Sequence, residues 1–224
     1  MCGRYTLKSR GVDLQRELHL DHEPVLETRF NIAPTQAAPV VLDSNQRELV
    51  MARWGFTPQW SKDVNEGAKH INARAESLTE KRMFSEALKH ARCLVPCDGF
   101  YEWKHHGRQA TPLFIHAPEH PIQTMAGLWT TWRSPDGVKV ATFSIITRPA
   151  DAMMSSIHSR MPLFIAPDAR EAWLAYTRYC EMNVGVGHPE IGRNRVTAID
   201  TVIELGRVTE EVRARIEART RTTH

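Results

Sequence analysis

The 224-residue chain is long enough for one domain with a buried core, and its net formal charge of +3 favours an anionic partner only slightly. Hydrophobic residues at 42% and charged residues at 25% exclude disorder as the default state. No run approaches the ~18 apolar residues of a membrane span, and the N-terminal MCGRYTLKSRG lacks the apolar core of a signal peptide, so a soluble cytoplasmic protein is expected.

In chain order, Val12 to Leu20 reads as a short helix with Val12, Leu14 and Leu18 on its apolar side. Residues 29–39, RFNIAPTQAAP, read as turn-rich and extended, because prolines restrict themselves and the residues before them. Val40–Leu42 and Leu49–Ala52 read as strands around the polar turn DSNQ. A loop follows, WGFTPQWSKDVNEG, carrying Trp54, Phe56 and Trp60. Thr79 is placed to cap a helix through KRMFSEALKHA, with Met83, Phe84 and Leu88 on one side. Strands are predicted over 92–95, 100–103, 113–116, 125–132 and 138–147, with PDG at 135–137 as a hairpin turn. AMMSSIHSRMP then leads into a strand, LFI, and Asp168 is placed to cap a helix, AREAWLAY. TEEVRARIEART, with acids first and arginines later, reads as a last helix.

Strands dominate the middle without regular strand–helix alternation and without internal repeats. The expected fold is therefore α+β: a single domain over 1–224, with a largely antiparallel mixed sheet and peripheral helices. The one place for a boundary is the glycine-rich stretch near 180–195. The four cysteines, Cys2, Cys93, Cys97 and Cys180, do not form a disulfide framework. Cys93 and Cys97 have no second pair to complete a zinc site and read as small buried residues of a strand, so no metal is expected.

Cys2 is the first candidate for chemistry. If Met1 is trimmed, which a small second residue permits, the terminus offers an amine and a thiol on adjacent carbons. An aldehyde can form a Schiff base with the amine, and the thiol can then close a five-membered thiazolidine. Tethering removes the entropic cost of bringing in a second reactant. An α-amine with a pKa near ~8 is on the order of one-tenth unprotonated at neutral pH, whereas a lysine would need tuning. The bland alternative is an ordinary residue on a frayed end.

The company Cys2 keeps decides between these. MCGRY is followed in order by RFNIAPTQ, WGFTPQW, INARAES, RCLVPCDGFYEW, AGLW and FSIITRPADAMMSSIHSRMP. Each motif is weak alone, but the ordered set resembles the SRAP family, the SOS-response-associated, peptidase-like proteins that process abasic sites. The match runs from Cys2 to about Ile165. The segment from 180 to 224 departs from the family pattern, although RNR at 193–195 has the composition of a DNA contact.

The resemblance implies a covalent crosslink between Cys2 and the ring-opened sugar of an abasic site in single-stranded DNA. It further implies lyase chemistry and removal of Met1, either by the protein itself or by an ordinary aminopeptidase; a monomer without a cofactor is expected. Carried over position by position, Cys2 is the nucleophile and Asn72 hydrogen-bonds near it. Glu102 is the acid–base carboxylate, and His158 helps open the sugar. Arg4, Arg74, Trp60 and Pro34 form the DNA-contacting set. Elementary chemistry agrees: histidine can move protons near neutral pH, a carboxylate can relieve an ammonium of its proton, and arginine can fork onto phosphates. Taken singly, each has a structural reading too. Glu102 can be the solvent-facing member of an alternating strand, His158 a satisfied core histidine and Asn72 a turn residue, while Trp54 reads as core. Two other functions compete. One is a glutamine amidotransferase with Cys2 as the thioester-forming nucleophile, and the other is a non-catalytic module for single-stranded or modified DNA.

Overall fold

The computed structural model describes residues 2–42 and 47–174. In chain order the strands are β1 (Arg4–Leu7), β2 (Arg29–Ile32), β3 (Ala37–Leu42), β4 (Leu49–Trp54), β5 (Asn72–Arg74) and β6 (Arg92–Cys97). They continue as β7 (Gly99–His106), β8 (Gln109–Ile115), β9 (Gln123–Arg133), β10 (Lys139–Pro149), β11 (Arg160–Pro162) and β12 (Phe164–Ile165). The helices are α1 (Gly11–Leu18) and α2 (Arg82–His90).

One sheet is antiparallel, in the order β2-β1-β7-β8. In the other, β10, β4, β3, β6 and β9 pair in turn, and β9 pairs back with β10. These five strands therefore close into a ring, which leaves no open edge among them. Closure explains why every residue of β6, RCLVPC, is buried. At Gly127 a Cβ would stand 2.7 Å from Cys93 Sγ, so the glycine makes room for the thiol across the β6–β9 pair. Cys93 and Cys97 are both free and buried, as small strand residues.

The expected α+β class holds, and so does the mixed sheet. The parallel pairs are β10 with β4 and β10 with β5; the others are antiparallel. The hairpin at 135–137 joins β9 to β10, with Gly137 at φ 85° and its N–H donating to Ser134 O at 2.9 Å. Two capping expectations are corrected. Lys81, not Thr79, occupies the N-cap of α2, and no side chain caps that helix, because the chain bends past Thr79 before it turns helical. Asp168 lies within a 3-10 turn, Pro167–Ala169, that runs into helical residues 170–174, so Ala166 precedes the turn. β3 begins earlier than expected, at Ala37, and the extended 29–39 segment contains β2. The expected turn at 43–46, the last helix, Cys180 and RNR at 193–195 lie outside the described residues.

Among the described residues, no helix is long and apolar enough to cross a membrane. The core beneath the N-terminus is aromatic. Tyr5 meets the edge of Trp54 at 5.2 Å between ring centroids, and Trp54 stacks on Phe143 at 6.3 Å. Trp54 is fully buried, as its core reading required. Its Nε1–H donates to Ile71 O at 2.9 Å, which anchors the residue just before β5.

Candidate active site

β1 is short, and its pairing determines what lies beside the residues that precede it. Arg4 is opposite Tyr101, and Tyr5 is opposite Phe100. The antiparallel run thus delivers Gly3, the neighbour of Cys2, alongside the next residue of β7, Glu102. The turn after β6 secures this register. Asp98 N–H donates to Thr6 O at 2.9 Å, while the Asp98 carboxylate accepts from Lys8 N–H and the Ser9 hydroxyl.

Cys2 is fully buried. Asn72, opening β5, donates from Nδ2 to Cys2 O at 2.8 Å. Glu102 is only 4% exposed, which removes the solvent-facing alternative: Phe100 and Glu102 share the inward face of β7. Burial, and then the negative charge of Glu102, push the Cys2 thiol up to about 12, opposed by a hydrogen bond from the Arg4 backbone. In this state the thiol is protonated at neutral pH and a poor nucleophile. A second feature marks Asn72. Its Oδ1 is buried and has no hydrogen-bond partner among the described residues. A buried acceptor left unpaired costs about 1–3 kcal/mol.

Asn72 is fixed by its strand. Asn72 to Arg74 run parallel to Ile145 to Thr147 of β10, with Ile145 N–H also donating to Ile71 O at 3.0 Å. β11 pairs with the next stretch of β10, Thr147 to Pro149. The half-buried His158 stands two residues before β11, beyond the Arg160–Pro149 pair at the end of β10, whereas Asn72 pairs with Ile145, four residues before Pro149. Arg160 N–H donates to His158 Nδ1 at 3.0 Å, and Arg160 O lies 3.2 Å from the same nitrogen. The backbone of Arg160 therefore serves both tautomers. Its N–H donates to a bare Nδ1, and its carbonyl accepts from a protonated one. Either way, the Arg160 backbone holds the ring through Nδ1.

The four DNA-contact candidates occupy four places. Arg4 is half-buried on β1, with Nη1 donating to Gly3 O at 3.0 Å, and Arg74 is exposed at the end of β5. Trp60 is 64% exposed, with the Arg82 guanidinium 5.7 Å from its ring centroid. Pro34 lies in a tight turn whose next residue, Thr35, has φ 70°, an unfavourable conformation for a β-branched side chain. Several bonds hold that turn. Gln36 N–H donates to Ala33 O, Ala33 N–H donates to Gln36 Oε1, and Arg29 Nη2 donates to Gln36 Oε1 at 2.5 Å. Thr35 N–H donates to Trp54 O at 2.8 Å, so the Pro34 turn is tied to the end of β4, where the loop to Trp60 begins.

Sequence reasoning missed three supports of this site: Asp98, the anchoring indole of Trp54, and an ion pair between Glu76 and Arg160. The last two residues sit inside INARAES and IHSRMP, but nothing in their spacing pairs them. Among the described residues, no cluster of three or more His, Cys, Asp or Glu side chains is arranged to hold a metal.

The site thus joins a buried cysteine at position 2, an asparagine bonded to its carbonyl and a buried carboxylate whose charge it feels, beside a closed five-stranded barrel. The profile of the SOS response associated peptidase (SRAP) family matches residues 1–191, and the chain belongs to that family. The chain is similar to the abasic site processing protein YoqW of Bacillus subtilis (strain 168), at 36% identity over 179 residues, covering 78% of this chain and 80% of that protein. It is 32% identical over 185 residues to the abasic site processing protein YedK of Escherichia coli (strain K12), covering 78% and 79%. A solved structure from Bacteroides thetaiotaomicron matches with a TM-score of 0.70 at 25% identity, over 80% of this chain and 86% of that one.

Proposed function

We propose that this protein processes abasic sites in single-stranded DNA by capturing the ring-opened sugar on Cys2 as a thiazolidine. The observation that carries the reading is the placement of Cys2. Its carbonyl is fixed by Asn72, and its thiol lies in the field of the buried Glu102. The names of the relatives above support the substrate class.

The reaction begins once Met1 has been removed, by the protein itself or by an aminopeptidase. His158 moves protons between the ring oxygen and the hydroxyl of the closed sugar, exposing the aldehyde. Glu102 accepts a proton from the Cys2 ammonium, and the free amine adds to the aldehyde carbon to form a carbinolamine. Glu102 returns that proton to the departing hydroxyl, water leaves, and a Schiff base remains. The thiol adds to the imine carbon while its proton passes to nitrogen, closing the ring. One water is lost overall, and no oxidant or reductant takes part. The amine attacks first because the thiol closes the ring only on the imine carbon that this attack creates. The Schiff base also acidifies the adjacent sugar carbon, which accounts for strand cleavage as a side reaction. Asn72 holds the Cys2 backbone still throughout, and its Oδ1 is available to the new amine or to a sugar hydroxyl.

Arg4 and Arg74 bind phosphates, while Trp60 and the Pro34 turn meet splayed bases. The protein acts as a monomer, and a reducing compartment such as the cytoplasm keeps the thiol available. The test is incubation of the purified protein with an abasic oligonucleotide, followed by a denaturing gel. Wild type should give a shifted band that survives without reductant. Cys2→Ala, which keeps an amine, should give a band only after borohydride reduction. A stable unreduced band from Cys2→Ala, or none from wild type, removes the mechanism.

A further inference from the structure

Arg160 opens β11, and its side chain is only 13% exposed. Nη1 donates to Glu76 Oε1 at 2.7 Å and Nη2 to Glu76 Oε2 at 2.9 Å, a two-pronged pairing that fixes orientation as well as distance. Nη2 also donates to Thr147 O at 2.7 Å, and Nε donates to Thr147 Oγ1 at 3.3 Å. Glu76 sits in the 3-10 turn, Ala75–Ser77, that follows β5, and its carboxyl is held below the usual range by the hydrogen bond from Arg160. Thr147 is the β10 residue that pairs with Arg74 of β5 and with Pro162 of β11. One guanidinium therefore ties the end of the Asn72 strand, the middle strand and the His158 segment together. The backbone of the same residue holds the His158 ring through Nδ1. Half of the Glu76 side chain is exposed, so the pair contributes little to overall stability. What it contributes is placement.

Resting on the reading of His158 as the sugar-opening group, we infer that Glu76 and Arg160 are positioning residues for that step. The ion-paired fork holds β11 against the turn after β5, and the Arg160 backbone then holds the His158 ring through Nδ1. Glu76 acts on His158 through Arg160. Removing the charge of Glu76 should therefore slow opening of the closed sugar while leaving attack on an aldehyde intact.

The experiment compares Glu76→Gln, Glu76→Asp and wild type in single-turnover crosslinking with protein in excess. One oligonucleotide carries an ordinary abasic site, and the other carries a pre-opened acyclic aldehyde. Glu76→Gln should lower the maximal rate on the closed sugar about tenfold, below the full effect of losing an acid–base group. Its rate on the aldehyde and its half-saturating concentration should stay within about twofold of wild type. Glu76→Asp should recover part of the loss. Equal losses on both substrates, or wild-type rates on both, overturn the inference. Nitrogen-15 NMR of the His158 ring provides a readout independent of crosslinking. The Nδ1 signal should move in Glu76→Gln, and an unchanged signal also overturns the inference. If wild type forms no crosslink, the proposed function fails, and the ring signal alone still decides whether Glu76 governs His158. Should Glu76→Gln fail to fold, the same two measurements on Glu76→Asp decide, with a smaller rate loss on the closed sugar alone and a moved signal expected.

Discussion

In the Asn72→Ala variant the hydrogen bond donated to Cys2 O at 2.8 Å disappears. The abandoned carbonyl loses its partner, at a cost of about 1–3 kcal/mol. The same substitution deletes Asn72 Oδ1, a buried acceptor without a partner among the described residues, and so relieves a penalty of similar size, about 1–3 kcal/mol. The two effects oppose each other, and net stability should change by less than ~1 kcal/mol. Catalysis has no such compensation. The Cys2 backbone is released, and one polar contact to substrate is lost. At roughly 1.4 kcal/mol per factor of ten, the crosslinking rate should fall about 10- to 100-fold. The assay pairs urea denaturation with single-turnover crosslinking of an abasic oligonucleotide, protein in excess. A variant destabilised by several kcal/mol whose folded fraction reacts at the wild-type rate would make Asn72 a structural residue and refute this reasoning.

Four further outcomes are expected. Glu102→Gln should slow both formation and reversal of the crosslink with little change in DNA affinity. In the protein retaining Met1, it should also make the Cys2 thiol more reactive toward alkylating agents, because the carboxylate that raises the thiol is gone; wild-type rates in the crosslinking assays remove Glu102 from its role. His158→Ala should slow reaction with the closed sugar most, and a pre-opened aldehyde should restore it; equal losses on both would assign His158 to structure or binding. The Cys2 thiol, pushed up from the usual 9.0 to about 12, keeps its proton in the folded state after the unfolded chain has lost it. Its contribution to stability is therefore complete below pH 9 and is lost as pH rises toward 12, about 4 kcal/mol over that window. Between pH 9 and 11, urea denaturation of protein lacking this thiol (Cys2→Ala) should show a pH slope shallower by about 1.4 kcal/mol per pH unit, and an unchanged slope counts against the burial of Cys2. Thr35→Gly should relieve the positive φ and raise stability by about 1 kcal/mol; a lower melting temperature would contradict the strain at that turn.

Much of the site was legible as an order of motifs, because a cysteine at position 2 has a distinct chemistry and the later segments narrow the field. The geometry was less so. Alternation along β7 indicates that Tyr101 and Glu102 face opposite ways, but not which of them faces in. The pairing of β1 with β7 decides that, and it is a long-range contact. The hairpin at 135–137 was readable from PDG, whereas the parallel pairing of β10 with β4 and β5, which closes the barrel and positions Asn72, leaves no local signature. Thr79 and Asp168 have the side chains of caps without the position, for a related reason. Suitable side chains occur in turns as well as at helix ends, and only the path of the chain distinguishes the two. The Glu76–Arg160 pair spans 84 positions, so no spacing rule could find it.

The most direct test of covalent capture is intact and peptide mass analysis of the protein after reaction with an abasic oligonucleotide, without reductant. The reacted chain should begin at Cys2, carry the DNA adduct on its first residue, and show a mass equal to protein plus DNA less one water. An active protein that retains Met1, or an adduct mapping to a lysine, would contradict the mechanism.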